Sequence, residues 1–316
     1  MKGTDKRECQ GRMCEMKNAA KWRLEQFRGC LVDSVKLLWL YLLMGVVLAV
    51  SLSWAFGRNA LGSVVSVQEQ SGTGPSSLPC VLTPAPKVAL RCVRFEEHLY
   101  AVADVNLQTE EIVFTTTDDK RMETFPEVVS NLSIIGVKPI LVTNAGIYGT
   151  DNRPLGLLIS PKGKLHNVNA AAGSGNFSWD SGVFQISDDG IASIVPARSW
   201  QDNPHTIAAT QSGPQLASSG KINQSFQPQS KWSFRRTSIG IDQSNRRLVR
   251  LVVSREPVTL FELATFMVKE LHCSEALHLD GDLSAFYVPA SPPKFIFANP
   301  GERIITVLSI LEKKRN

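Results

Sequence analysis

Ala276-Leu-His-Leu-Asp280-Gly-Asp282-Leu-Ser284 is the stretch on which the reading of this chain turns. The apolar run over 276–279 predicts a short buried strand, and Gly281 permits a sharp turn directly after it. Strand and turn together deliver Asp280, Asp282 and Ser284 at alternate positions. Three chemistries fit. A Ca²⁺ loop using Asp280, Asp282 and Ser284 would need a bidentate Glu at its twelfth position, where Ser291 stands. An aspartyl-phosphate motif of the form D-x-D-x-[ST] would need further catalytic motifs downstream, and only 32 residues follow Ser284. A turn presenting Asp280 or Asp282 would supply a general base, a nucleophile or an oxocarbenium stabiliser for glycosyl transfer. A capped β-turn with solvated aspartates explains the same residues with no chemistry at all.

Working outward, short strands surround this segment. Tyr100 to Asn106 and Glu111 to Thr115 read as a pair, Pro139 to Val142 as a buried strand running to Asn144, and Gly156 to Ser160 as another. Val183 to Ile186 and Ile191 to Val195 flank a Ser187-Asp-Asp-Gly190 turn. Ser238 to Ile241 and Leu248 to Val253 form a hairpin, and Ile304 to Ile310 is the final strand. Two helices stand out. Glu123 to Ile135 carries Val128, Val129, Leu132 and Ile135 on one face, and Thr259-x-x-Glu262 is a capping box opening a helix to about Leu271. The pattern predicts an α+β fold with a mixed, mainly antiparallel β-sheet core and a few helices, preceded by a single N-terminal transmembrane helix.

That helix is Leu37 to Phe56, twenty residues without an acid or base, long enough for a hydrocarbon core of about 30 Å. Residues 1–36 hold nine Lys or Arg against five acids, most of the net charge of +5. This asymmetry places 1–36 in the cytoplasm as a basic tail, and everything beyond Phe56 outside the inner or plasma membrane, periplasmic or extracellular. The Ser53-Trp-Ala55 sequence also suits a signal peptidase, in which case the protein is secreted. The remainder of the chain is nearly neutral, which excludes a broad nucleic-acid surface. Residues 57–86, rich in Ser, Gly and Pro, read as a flexible linker, and 87–316 as one domain. Cys80 and Cys92 are free to pair outside the membrane, leaving Cys273 odd. No zinc-type spacing occurs, so no metal or cofactor is expected beyond the Ca²⁺ alternative.

Further motifs accompany the Asp280 turn. Asn144-Ala-Gly146-Ile-Tyr148 closes a buried strand and Pro154-Leu-Gly156 follows. Leu165-His166-Asn167-Val-Asn169 and Gly175-Asn176-Phe177 come next. Ala209-Thr-Gln211-Ser212-Gly213-Pro214 precedes Leu216, and Arg235-Arg236-Thr237-Ser-Ile-Gly240 leads a strand. In this order, ending in L-D-G-x-x-S, the series resembles the phosphodiester glycosidase family, in particular its short bacterial exported branch, from about Arg94 to Val307. The resemblance implies a hydrolase that splits a sugar, such as N-acetylglucosamine, from a phosphate diester in envelope or extracellular glycans. The branch of the lysosomal uncovering enzyme has N-G-G and D-G-G-x-S where this chain has Asn144-Ala145-Gly146 and Asp280-Gly281-Asp282, so that enzyme's substrate does not transfer.

Within that resemblance, Asp280 takes the carboxylate role and Arg236 the phosphate, because a guanidinium fork matches phosphate oxygens. Asn144, Asn176 and Gln211 are expected to donate to sugar hydroxyls or phosphate, while Gly146, Gly175 and Gly213 admit the ligand to the backbone. Tyr148, His166, Ser212, Asp282 and Ser284 complete the candidate substrate-binding set. Plainer accounts stand beside these: Arg236 in a surface ion pair, Asn144 and Asn176 in turns, His166 as a hydrogen-bonded strand residue, and Ser212 without a G-x-S-x-G elbow. A non-catalytic carbohydrate-binding or polysaccharide-assembly factor with the same pocket is the alternative function.

Overall fold

The computed structural model describes residues 87–117, 121–170, 177, 180–281, 283–297 and 301–313. The expectations resting on Leu37–Phe56, the 57–86 linker, Cys80, Gly175, Asn176 and Asp282 lie outside the described residues. Among the described residues no helix is long and apolar enough to cross a membrane.

Three sheets carry the fold, with strands numbered along the chain. The largest runs in the spatial order β1 (Ala89–Phe95), β2 (His98–Asn106), β14 (Leu248–Ser254), β13 (Thr237–Asp242), β15 (Cys273–His278), β11 (Gln215–Ser218) and β12 (Lys221–Ile222). A five-stranded sheet runs β7 (Gly163–His166), β6 (Leu158–Ser160), β10 (Thr206–Ser212), β8 (Gly182–Ser187) and β9 (Ala192–Pro196). Another runs β17 (Lys294–Ile296), β16 (Phe286–Val288), β5 (Leu141–Asn144), β19 (Thr306–Glu312) and β3 (Glu110–Thr116). A small ladder joins β18 (Arg303–Ile304) to β4 (Glu123–Thr124). Each of these pairings is antiparallel, so the expected mixture contains no parallel pair among the described strands.

The alternation of side chains explains why the large sheet is central. On β2, Ala101, Ala103 and Val105 enter one core with Ile239, Val249, Leu251 and Leu277. That core also takes Phe114, Leu141, Leu308 and Phe184 from the two five-stranded sheets. Tyr100 and Val102 face the opposite way, into a second core with Val252, Leu263, Phe266 and Met267. A strand covered on both faces must be apolar at nearly every position, as 99–103 is. Tyr100 and Phe266 stack at 3.9 Å, and each fully buried side chain of this size contributes roughly 1.5–3 kcal/mol.

Two helices cover the sheets. Helix α1 (Phe125–Ile134) starts two residues later than periodicity implies, because Thr124 and Glu127 form a capping box and Pro126 occupies its first turn. Helix α2 (Leu260–Thr265) opens on the Thr259–Glu262 box as expected. It then widens into a π-helical turn, Phe266–Glu270, closed by Leu271 N–H donating to the Phe266 carbonyl at 3.1 Å. The wider turn keeps Leu271 in the core with Phe266 and Met267. The run read as one strand over 304–310 divides, with β18 pairing to β4 and β19 inserting between β5 and β3.

Candidate active site

The adjacent strands β13 and β15 set Ser238 opposite His278, and the ladder continues through Leu279 N–H to the Thr237 carbonyl at 2.9 Å. Arg236, one residue before β13, is thereby brought level with the turn that begins at Asp280. Arg236, His278, Asp280 and Gly281 all line one cleft of about 560 Å³, together with several aromatic side chains. The acid and the cation singled out in the sequence share this cleft.

Arg236 is 5% exposed, so it is not the surface ion-pair residue that one sequence reading allowed. Its Nε donates to the Val258 carbonyl at 2.8 Å and one terminal nitrogen to the Trp232 carbonyl at 3.4 Å. The other terminal nitrogen lies 3.3 Å from His278 Nε2, and the guanidinium carbon sits 5.4 Å from the centroid of the Phe234 ring. Desolvating a guanidinium is costly, and these acceptors and the ring face offset that cost while fixing its direction.

His278 is fully buried and explains part of this geometry. Its Nδ1 is 3.0 Å from the Gly213 carbonyl. A carbonyl only accepts and a guanidinium only donates, so the imidazole proton sits on Nδ1 and the Nε2 lone pair faces Arg236. Burial lowers the imidazole pKa to about 3 and the Arg236 charge pushes the same way, so His278 is neutral near pH 7. His278 is not among the candidate residues drawn from the sequence. Its signal was its position two residues before Asp280, where strand alternation starts the two side chains on one face.

Several expected ligand donors instead build the frame. Asn144 is 2% exposed; its amide nitrogen donates to the Asp280 carbonyl, and its Oδ1 accepts from Thr237 Oγ1 at 2.9 Å and Thr143 Oγ1 at 3.2 Å. It holds the Asp280 turn from within rather than reaching a sugar. Asp280 N–H donates to the Ala145 carbonyl at 3.0 Å, so both sides of the Asp280 peptide are tied to the end of β5. Ser284, also buried, closes the turn by donating from Oγ to the Gly281 carbonyl at 2.8 Å. Gly281 allows this packing: a Cβ there would come within 3.3 Å of His278 Nε2. Gly146 is required for a different reason than expected. A Cβ would lie 2.4 Å from the Gln211 carbonyl oxygen, so the glycine lets β10 approach, not a ligand.

Gln211 likewise turns inward. Its Oε1 accepts from Leu157 N–H at 3.1 Å and Asn169 N–H at 2.8 Å, and its Nε2 donates to the Asn169 carbonyl at 2.7 Å and to Ser181 Oγ at 3.3 Å. At 1% exposure with both ends occupied, it is a structural knot. Ser212 is fully buried on β10, with no hydroxyl partner among the described residues, and does not line the cleft. Gly213 touches the site through its carbonyl on His278. His166 lies on β7 with Nδ1 against the Asn167 carbonyl, and Tyr148 in a bridge opposite Pro154; neither lines the cleft. Among the described residues no group of three or more His, Cys, Asp or Glu is arranged to hold a metal, although Asp282 lies outside them.

Comparisons with known proteins bear on the family and the fold. The uncharacterized protein YigE of Escherichia coli (strain K12) is 28% identical over 176 residues, 55% of this chain and 66% of that protein, just under two thirds of its length. The auto-inhibited catalytic domain of zebrafish N-acetylglucosamine-1-phosphodiester alpha-N-acetylglucosaminidase superposes with a TM-score of 0.51 at 18% identity, over 72% of this chain and 83% of that one. At that identity the likeness shows the fold alone. The phosphodiester glycosidase family model matches residues 138–301, more than half of the chain. Because that span also contains every residue lining the cleft, the chain belongs to the phosphodiester glycosidase family.

Proposed function

We propose that this protein hydrolyses a glycosyl phosphodiester, with Asp280 acting at the anomeric carbon and Arg236 at the phosphate. The observation that carries the reading is the meeting of those two groups in one cleft of a family member. In the reaction the bond from the anomeric carbon to the phosphate oxygen breaks, water supplies the new anomeric oxygen, and a free sugar and a phosphate monoester leave. A phosphate monoester has a second pKa of about 6, so it departs without a strong general acid. That requirement fits a cleft in which Asp280 is the one carboxylate among the described lining residues. Arg236 stabilises the charge developing on the leaving oxygens, and neutral His278 keeps its fork aimed without competing for the anion.

The protein is further proposed to be exported and held at the membrane by Leu37–Phe56, with envelope or extracellular glycans as the substrate source. Cys92 is disulfide-bonded, which supports an oxidising compartment. The test incubates the purified full-length chain with a panel of nucleotide-sugars and sugar-phosphate diesters. Wild type is expected to release free sugar from at least one, and Asp280→Asn to release about a hundredfold less or nothing. Sugar binding without any release, unchanged in Asp280→Asn, would reassign the protein to the non-catalytic alternative.

A further inference from the structure

A second concavity, which shares no lining residue with the catalytic cleft, has no part in the chemistry above. It measures about 290 Å³, and Asp180, Arg198, Lys221 and Asn223 are among the side chains that line it. Arg198 and Lys221 are both exposed, and neither has a hydrogen-bonding or acidic partner among the described residues. One solvated cation on a surface needs no explanation. Two unpaired cations on the same concavity, against the single carboxylate of Asp180, give it a positive balance that draws an anion. We propose that this pocket is a second binding site, for an acidic sugar, in which Arg198 and Lys221 take the acid and Asp180 accepts from a hydroxyl. The site stands apart from Asp280 and Arg236, and it does not depend on the hydrolytic reading.

The groups that would hold such a ligand are carried on fixed backbone. Arg198 lies in the 3₁₀ turn Ala197–Ser199, tied to the frame by Ala197 N–H donating to the Ser181 carbonyl at 2.9 Å and by the buried Ala197 and Trp200 side chains. Lys221 opens β12 and pairs with Ser218 across the β11–β12 hairpin. Asn223 pins a third part of the lining: its N–H donates to the Leu216 carbonyl and its Nδ2 to the Gln215 carbonyl, each at 2.9 Å. Its Oδ1 accepts from Ser225 Oγ at 2.8 Å. Asp180 makes only long contacts, at 3.4 Å to Ser225 Oγ and 3.5 Å to Asn223 Nδ2, so its carboxylate keeps capacity for a ligand hydroxyl. A guanidinium fork beside an ammonium suits a carboxylate or a phosphate. No aromatic ring lines the pocket, so a nucleobase has nothing to stack on, and an acyl chain would leave the polar lining unsatisfied. The volume lies just below the roughly 300–1,000 Å³ of drug-sized sites, which fits one ring rather than several. Chain segment 222–227 passes from this lining into that of the catalytic cleft, so a glycan gripped here is retained next to the cleft.

Calorimetry on the full chain tests the site by comparing glucuronate, glucose 6-phosphate and glucose. At least one of the two acidic sugars is expected to bind about tenfold or more tightly than glucose, and raised salt should weaken that binding. The double variant Arg198→Ala/Lys221→Ala should cut the affinity by about tenfold, and whichever sugar it affects identifies the acid as carboxylate or phosphate. Arg198→Lys should keep most of the binding, as a charge-based site requires. Both substituted side chains are exposed, and an unchanged melting temperature checks that the variants fold. Acidic sugars that bind no better than glucose, or whose affinity the double variant leaves intact, overturn the proposal.

Discussion

The Asp280 turn and the Gln211 knot are both glycine-rich, polar and placed where strands end, yet they do opposite things. At the turn, Asp280 and Arg236 finish in a cleft, steered by Asn144 and His278 behind them. In the knot, both ends of Gln211 terminate on the backbone of 157 and 169 and on Ser181, and nothing remains for a ligand. Gln211 spends both ends of its amide within the fold, whereas Asp280 and Arg236 line a cleft. The difference is one of placement, not of residue type.

Mutations should separate the two regions by what they damage. The largest effect is expected at Asp280→Asn, about a hundredfold or more in kcat/KM with no change in melting temperature, read by sugar release and thermal unfolding. Gln211→Ala should invert that pattern. It strands buried backbone groups and should cost roughly 3 kcal/mol in denaturant unfolding, with any activity loss following the folded fraction. If Gln211→Ala instead lost catalysis at full stability, the knot would have to be counted as part of the site.

His278 lies between these extremes and has a pH signature. Its pKa is lowered to about 3 in the fold, against an unfolded value near 6.5. Above pH 6.5 both states are neutral and nothing is lost. Between about 6.5 and 3 the unfolded chain takes up a proton that the fold refuses, so stability falls by up to about 1.4 kcal/mol per pH unit as pH drops. His278→Gln should flatten that slope in urea titrations between pH 5 and 6.5, where Asp242, pushed up by burial but brought down to about 2 by hydrogen bonds from Ser244 and Arg250, is ionised in folded and unfolded chains alike. The smallest effect is expected at His166→Ala: half-exposed and away from the cleft, it should change activity by less than about twofold and stability by less than about 0.5 kcal/mol.

Much of the fold was legible because alternation and caps are local. The β13–β14 hairpin, the Thr259–Glu262 capping box and the strand into Asp280 need only neighbouring residues to be recognised, whereas the equally local Thr124–Glu127 box was passed over. Strand β10 was not found, since Thr210-Gln211-Ser212 is polar yet fully buried, its polar groups disposed of by distant partners. The same non-locality governs the site. Pairing Asp280 with Arg236 could be inferred from motif order, but the inward turning of Asn144 and Gln211 depends on contacts 136 and 54 residues away. The aromatic side chains lining the cleft escaped notice because Trp232 and Phe234 sit in a stretch without periodicity.

The position of β19 has a consequence for biosynthesis. This strand, Thr306–Glu312, fills the gap between β5 and β3, and β5 is the strand whose end clamps Asp280. A nascent chain that has not yet reached Glu312 carries two open sheet edges and an unsupported turn. Such edges are slow to satisfy and prone to pair wrongly with other chains. The five-stranded sheet, and with it the full support of the Asp280 turn, therefore closes only once residues 306–312 have been made, and a product truncated before them would be a candidate for degradation.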